Sequence, residues 1–278
     1  YTAGEANDVN IKTALKAKGN IDVGNEEKDV NIQAYTEVDG NRVILYAARN
    51  IKNYATIASL EETNLVAFKD IKNYADIVSE KNTVLASLAG DIYNEGDIQA
   101  ANNIDIDALV GNIYNYADIS SQNGSIDILA GKDLANLGDL STGNGNLKLQ
   151  AKEDVLNLGL METEEGNIDI ISSNGVIYNV LDADLITGNG NVTLRAESLE
   201  GYYYYFKEAQ LVPIDAALVQ KSAKGELYYL DAKQQKYAVV KNGSIFNEGD
   251  ILALGGTITL EAVKGNLTNY DDFNTLYI

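Results

Sequence analysis

The sequence predicts an all-β protein, a parallel β-helix (solenoid) with coils of about 21 residues. Three observations lead to this fold class. A seven-residue motif recurs at a nearly fixed period, a short alternating apolar stretch follows each copy, and the composition suits stacked strands joined by tight turns.

The repeated motif reads apolar, x, Asn, x, Gly or Ala, usually Asp, apolar. Ile113–Ile119 is its central copy, and Ile245–Ile251 is a late one. Its Asn recurs in steps of 20 to 22 residues, with a gap before the last two copies. We predict that these Asn side chains stack as a structural, amide-to-amide hydrogen-bonded column along the axis: Asn53, Asn73, Asn94, Asn115, Asn136, Asn157, Asn179, Asn247 and Asn269.

A second short stretch follows each Asn by about ten residues, as in Ile126–Ile128 and Leu147–Leu149. Its apolar-polar alternation is typical of a half-buried strand, because successive side chains of a strand point to opposite faces. Two or three such strands in one period leave no room for a helix of ordinary length. We therefore expect each repeat to be one coil, with every strand paired to its equivalent in the next coil.

The composition agrees with this fold. The 278 residues include 24 glycines and a single proline, which suits corners and unbroken strand ladders. The formal net charge of −20 argues against binding nucleic acid or an anionic membrane surface. No apolar run is long enough to predict membrane insertion. The chain begins without Met or a signal peptide, which indicates a piece of a longer protein.

Four regions are expected along the chain. Residues 1–50 form irregular first coils, residues 51–200 form regular coils, and residues 241–278 form the last coils. In the first region, Asn25 precedes Asn53 by 28 residues, so that either this coil carries an insertion or Asn25 is out of register.

The fourth region, residues 201–240, interrupts the repeat. It makes either extra-long coils or an excursion from the rod, and we favour the excursion. Within it, residues 226–230 and 237–240 flank a polar segment and predict a hairpin. The excursion opens with an aromatic run that is the best candidate contact site, since it lies on an interruption of the scaffold. The alternative for this run is packing within the excursion: Tyr202, Tyr203, Tyr204, Tyr205 and Phe206.

Two further sets follow the repeat. One is a row of outward tyrosines, which either shield the sheet or contact a sugar or protein: Tyr54, Tyr74, Tyr93, Tyr114, Tyr116, Tyr178 and Tyr270. The other is a row of aspartates, which is either a cation strip or a solvated edge: Asp76, Asp97, Asp118, Asp139, Asp182, Asp250 and Asp272. In water each pair of neighbouring aspartates repels by only about 1 kcal/mol, which solvent can offset without a bound cation, so we favour the solvated edge. We predict no metal and no cofactor.

Catalysis is not expected, although β-helices do host polysaccharide lyases and hydrolases. The chain has no histidine and no cysteine, which removes the commonest general base and nucleophile. Its paired carboxylates follow the repeat register, as a scaffold would place them. No catalytic residue is therefore predicted.

The repeat resembles that of filamentous haemagglutinin. In that family a G-x-[DN]-[LI]-x-N-x-G-x-[LI] segment alternates with a short [LI]-x-[LI]-x-A strand. Gly131–Leu140 follows the first pattern, and Ile128–Ala130 and Leu149–Ala151 lie where the second belongs. The likeness covers about residues 41–200 and 241–270. The many tyrosines, the acidity and the interruption depart from it.

The resemblance implies a right-handed β-helical fibre in a secreted surface exoprotein of Gram-negative bacteria, exported through an outer-membrane pore by two-partner secretion. We expect an interior segment of an adhesin whose receptor is a glycan or protein on another cell. The alternative is a stalk or receptor-binding segment of a contact-dependent toxin-delivery exoprotein. A β-helical polysaccharide-active enzyme comes third. No binding residues carry over from the family.

Overall fold

The structure is a computed structural model. It describes residues 8–32, 36–198, 203–207, 210–222, 227–241 and 243–269. It confirms the predicted β-solenoid: parallel strands stack in about eleven turns, with equivalent residues roughly 21 apart. No helix in the described part of the chain is long and apolar enough to cross a membrane.

Each coil contributes one three-residue strand to an 11-stranded parallel sheet, here called sheet I. Its middle residue points outward and its first and third residues point into the core. The strands of sheet I are Val9–Ile11, Val30–Ile32, Ile51–Asn53, Ile71–Asn73, Ile92–Asn94, Ile113–Asn115, Leu134–Asn136, Val155–Asn157, Ile177–Asn179, Ile245–Asn247 and Leu267–Asn269.

The rest of each coil contributes to an 18-stranded parallel sheet, sheet II, which holds two strand positions per coil. The long strands Glu37–Ala47 and Thr56–Ala67 run through both positions, and a register shift lies between Gly40 and Arg42. Its other strands are Leu15–Lys16, Ile21–Asn25, Ile77–Ser79, Asn82–Ser87, Ile98–Ala100, Ile104–Ala108, Ile119–Ser121, Ile126–Ala130, Leu140–Thr142, Leu147–Ala151, Met161–Thr163, Ile168–Ser172, Leu185–Thr187, Val192–Ala196, Ile251–Ala253 and Ile258–Ala262.

The core is one continuous column of aliphatic side chains inside the coils. Ile92, Ile113 and Leu134 stack in register in sheet I, and all three are essentially unexposed. Because each coil buries only a few such side chains, burial is completed by the coils above and below. Stability is therefore a property of neighbouring coils.

The first coils keep the 21-residue register of sheet I. Val9 pairs with Val30, which in turn pairs with Ile51. Asn25 lies in sheet II, paired with Ala47, so it is out of register with the Asn column.

The interruption leaves the stack unbroken. Asn179 pairs directly with Asn247, although 68 residues separate them in sequence. The intervening chain forms a separate five-stranded antiparallel sheet, the inserted sheet, and a 3-10 helix at Ala216–Leu218. The region is therefore an excursion from the solenoid. Its strands are Tyr203–Lys207, Gln210–Ile214, Gln220–Lys221, Leu227–Leu230 and Lys236–Lys241.

The two ends of the excursion lie side by side. A Cβ added to Gly243 would lie 3.0 Å from the Cβ of Ser198, and Gly243 has a φ of +77° that favours glycine. The chain leaves and re-enters the solenoid at one point. The coils before and after the inserted sheet therefore stack in the regular register.

Candidate functional site

The predicted aromatic contact run forms the first strand of the inserted sheet. Tyr203 and Tyr205 are half-buried. For Tyr204 and Phe206 the structure describes the backbone, which pairs with the strand Gln210–Ile214. Tyr202 lies outside the described residues.

Tyr205 belongs to a three-ring cluster with Tyr229 and Tyr237. The ring centroids lie 4.9 Å apart for Tyr205 and Tyr229, 5.1 Å for Tyr205 and Tyr237, and 6.2 Å for Tyr229 and Tyr237. Tyr229 pairs with Tyr237 across the hairpin, and Tyr205 pairs with Val239 one strand further on. The cluster therefore occupies one face of the inserted sheet.

The opposite face of the hairpin carries a cation–π pair. Strand alternation turns Tyr228 away from Tyr229, and Lys236 Nζ lies 4.7 Å from the centroid of the Tyr228 ring. The hairpin thus presents aromatic rings on both faces, and each ring offers broad apolar area with a hydrogen-bonding hydroxyl.

Asp231 holds the tip of the hairpin through its side chain and its backbone. The Oδ1 of Asp231 accepts hydrogen bonds from the backbone N–H groups of Lys233 at 2.8 Å and Gln235 at 2.9 Å, while Gln234 adopts a φ of +64°. Because these bonds and two backbone hydrogen bonds of Asp231 close the turn, the exposed polar tip has a defined shape.

The sequence indicated the hairpin but not the cluster. Tyr229 and Tyr237 were not among the candidate residues, because their proximity to Tyr205 depends on how three antiparallel strands register. The available signal was that these two tyrosines occupy equivalent positions on the two strands of the predicted hairpin.

The Asn column is present along the inner side of sheet I. Each Asn side-chain amide donates to the Oδ1 of the Asn in the next coil, at 2.7 to 2.8 Å, from Asn53 through to Asn269. Several members also donate to the carbonyl two residues on, as Asn136 does to Gly138. All except Asn269 are buried. These amides are fully engaged within the scaffold.

The outward aspartate row also bonds along the axis. The backbone N–H of Asp118 donates to Asp97 Oδ1 at 3.2 Å, and the N–H of Asp139 donates to Asp118 Oδ1 at 2.9 Å. Further up, Asp184 rather than Asp182 holds this position, since its Oδ1 accepts the N–H of Asp250. Asp182 instead takes a turn conformation with a φ of +67°. Asp272 lies outside the described residues.

Within the described ranges, no group of three or more acidic side chains is arranged to hold a metal ion. The aspartates of the row are exposed and accept backbone hydrogen bonds from the coil above. Their arrangement is that of a solvated edge with a structural role.

A second polar column, which the sequence analysis missed, precedes the strands of sheet I. The N–H of Asp91 donates to Asp70 Oδ1 at 3.1 Å, and the N–H of Asn112 donates to Asp91 Oδ1 at 2.7 Å. The column runs on through Asp133 and Asp154 to the N–H of Val176. The signal was an Asp or Asn one residue before most copies of the motif.

The column also runs down from Asp70 through Asn50 to Asp29, and two of its carboxyl groups differ electrostatically. At Asp154, burial raises the pKa to about 7, opposed by the hydrogen bond from Val176 and reinforced by the charges of Asp133 and Glu153. At Asp29, burial is outweighed by hydrogen bonds from Asn50 and the nearby Lys52 ammonium, which lower the pKa. The charged form of the carboxyl is therefore favoured at Asp29, where Asn50 and Lys52 stabilise it, and disfavoured at Asp154, where burial dominates.

Comparison of the chain with protein-family models, curated proteins and solved structures gave no match.

Proposed function

We propose that this chain is the rod segment of a secreted bacterial surface adhesin, in which the solenoid is a rigid fibre and the inserted sheet contacts a receptor. The observation that carries the proposal is the direct pairing of Asn179 with Asn247. A sheet that the stack does not need for its own continuity is free to vary for recognition.

The solenoid has the properties of a stiff spacer. Two sheets of parallel strands run along it, and columns of side-chain hydrogen bonds join successive coils at several positions, as at Asn112, Asn115, Asp118 and Asn146. Bending the rod would stretch these bonds on one side. Such a rod holds a recognition element at a fixed distance from its point of attachment.

The inserted sheet has the chemistry of a contact surface. Tyrosine gives large rigid area at a small conformational cost, and its hydroxyl bonds either a sugar or a peptide group. We propose a glycan or protein receptor on another cell as the partner. The location at the cell surface and export through an outer-membrane pore belong to the proposal and rest on the repeat resemblance at Gly131–Leu140.

The test compares the intact chain with a variant in which residues 203–241 are replaced by a short Gly-Ser link. Both are applied to glycan arrays and to bacterial and host cells. We expect the intact chain to bind and the linker variant to lose binding while its circular dichroism remains β-rich. Equal binding by both proteins would contradict the proposal.

A matched pair of point variants refines the test. Tyr229→Ser disturbs the three-ring cluster, whereas Lys233→Ser changes the exposed tip without touching a ring. We expect the first variant to weaken receptor binding by about tenfold, which is about 1.4 kcal/mol, and the second to change it little. Binding to bacterial cells alone would favour the receptor-binding segment of a contact-dependent toxin-delivery exoprotein.

A further inference from the structure

The outward face of sheet I carries a second surface of distinctive chemistry, on the coils rather than on the inserted sheet. We call it the anionic tyrosine face and define it by three tyrosines and the carboxylates beside them in two consecutive coils. Its residues are Tyr93, Tyr114, Tyr116, Asp91, Asp97 and Asp118.

Two of the three tyrosines stack face to face along the axis, and the third is exposed beside them. The rings of Tyr93 and Tyr114 are stacked, with centroids 5.0 Å apart and planes 16° from parallel. Tyr116 lies two residues beyond Tyr114 on the same outward parity and is 48% exposed. The spacing of the stack is set by the solenoid, since adjacent strands lie about 4.8 Å apart.

The carboxylates beside the rings are held in place. Asp91 precedes the strand, where its Oδ2 accepts a hydrogen bond from the Tyr93 hydroxyl at 3.3 Å. Asp97 and Asp118 follow it on the other side, and the Oδ1 of each accepts the N–H of the next coil. Negative charge is thus fixed on both sides of the tyrosines, so these three carboxylates need little further ordering on binding.

The face already holds one cation of the chain itself. Lys72, one coil below, places its Nζ 5.2 Å from the centroid of the Tyr93 ring. The surroundings of the Tyr93 ring are negatively charged as well as partly buried, because burial and the Asp91 charge raise the pKa of the Tyr93 phenol to about 12. Both faces of the Tyr93 ring are thus covered, one by Tyr114 and the other by Lys72, so a further cation has to use the other face of Tyr114 or the exposed ring of Tyr116. A ring face flanked by carboxylates attracts cations and repels phosphates and sulfates.

We propose that the anionic tyrosine face is a docking surface for a cationic polypeptide segment, whose Arg or Lys side chains lie on the exposed Tyr116 ring and on the face of Tyr114 that Tyr93 does not cover, and end at the flanking carboxylates. Arginine fits best, since a guanidinium both stacks on an aromatic ring and bonds a carboxylate with two parallel N–H groups. This surface is distinct from the proposed receptor contact on the inserted sheet.

The test measures binding of a fluorescein-labelled arginine hexapeptide to the intact chain by fluorescence anisotropy at physiological salt. The first variant is Asp97→Asn with Asp118→Asn. An amide keeps the bond to the coil above, as Asn112 does for the N–H of Asp133. The matched control is Glu164→Gln with Glu165→Gln, an exposed pair on another coil whose loss changes the net charge equally.

We expect the Asp97/Asp118 variant to bind the peptide about tenfold more weakly than the Glu164/Glu165 control, since two ion pairs with the peptide are lost. Tyr114→Leu with Tyr116→Leu keeps apolar area and charge but removes the two rings that have a face for the peptide, and we expect a similar loss. Thermal melts followed by circular dichroism show that each variant is folded.

Two results would overturn the proposal. Equal weakening by the two charge variants, with no effect of the tyrosine variant, would mean attraction to the net charge of the whole chain. Displacement of the peptide by a neutral oligosaccharide such as maltohexaose would instead identify a sugar-binding surface.

Discussion

The regular coils and the inserted sheet solve the problem of stability differently. In the coils, buried Asn side chains bond from one turn to the next, and no described buried side-chain polar atom lacks a partner. In the described part of the inserted sheet, Val239 is the one buried hydrophobic side chain, and the tyrosines are half-buried. The difference shows that columns of hydrogen bonds between coils stabilise the rod, whereas the excursion leaves its tyrosine side chains partly exposed to solvent.

The largest effect is expected from breaking the Asn column at its middle. Asn136→Ile removes the donor to Asn157 and the acceptor for Asn115, leaving buried polar atoms unpaired in two neighbouring coils. We expect a loss of about 3–5 kcal/mol in the free energy of unfolding. Guanidinium denaturation followed by circular dichroism measures it.

The same substitution at the end of the column is the control. Asn53 stacks above Ile32, so Asn53→Ile extends an existing aliphatic stack and interrupts one inter-coil amide bond instead of two. We expect a clearly smaller loss than at Asn136. Equal losses at the two positions would show that the column does not act as a connected chain.

The next effect tests how closely the corners of the coils stack. A Cβ at Gly166 would overlap the carbonyl oxygen of Gly145 in the coil below, so Gly166→Ala must push two coils apart. We expect a cost of about 1–3 kcal/mol. Gly19→Ala, which meets nothing within 4 Å, should change the midpoint of denaturation little. Similar midpoints for the two variants would contradict the close stacking.

An effect of similar size depends on pH. The pKa of Asp154 is raised from its ordinary 3.8 to about 7, so the folded state binds the proton more tightly than the unfolded chain. This group's contribution to stability is therefore complete below about pH 4 and is lost as the pH rises towards 7. Asp154→Asn keeps an acceptor for Val176 and removes the charge.

We expect Asp154→Asn to be more stable than the natural chain by about 1–3 kcal/mol at pH 8, with the difference vanishing near pH 4. Urea denaturation at a series of pH values measures the difference. Asp29→Asn serves as the opposite case, because the lowered pKa of Asp29 means that its loss should destabilise above pH 4. If the difference in stability between Asp154→Asn and the natural chain does not change with pH, the pKa of Asp154 is not raised.

The smallest effect is expected from removing the excursion. Replacing residues 203–241 with a short Gly-Ser link should change the free energy of unfolding of the coils by less than about 1 kcal/mol, since repeat stability comes from neighbouring coils. Guanidinium denaturation followed by circular dichroism measures the change. A large loss of β structure would show that the inserted sheet supports the rod, and the division between the two regions would fail.

The sequence by itself determined the solenoid, its period and the Asn column from Asn53 onward, because each depends on spacing along one chain. Strand alternation decides which side of a coil a residue faces, and a repeat of about 21 residues then places equivalent residues one above another. The hairpin of the excursion was predictable for the same local reason.

Only the tertiary structure decided which residues complete the columns where the period varies. Ile32 rather than Asn25 aligns with Asn53, and Asp184 rather than Asp182 aligns with Asp250, because strand pairing and not sequence spacing sets the register. The raised pKa of Asp154 likewise depends on burial and neighbouring charges from other coils. These properties arise between chain segments that are distant in sequence, so no local pattern encodes them.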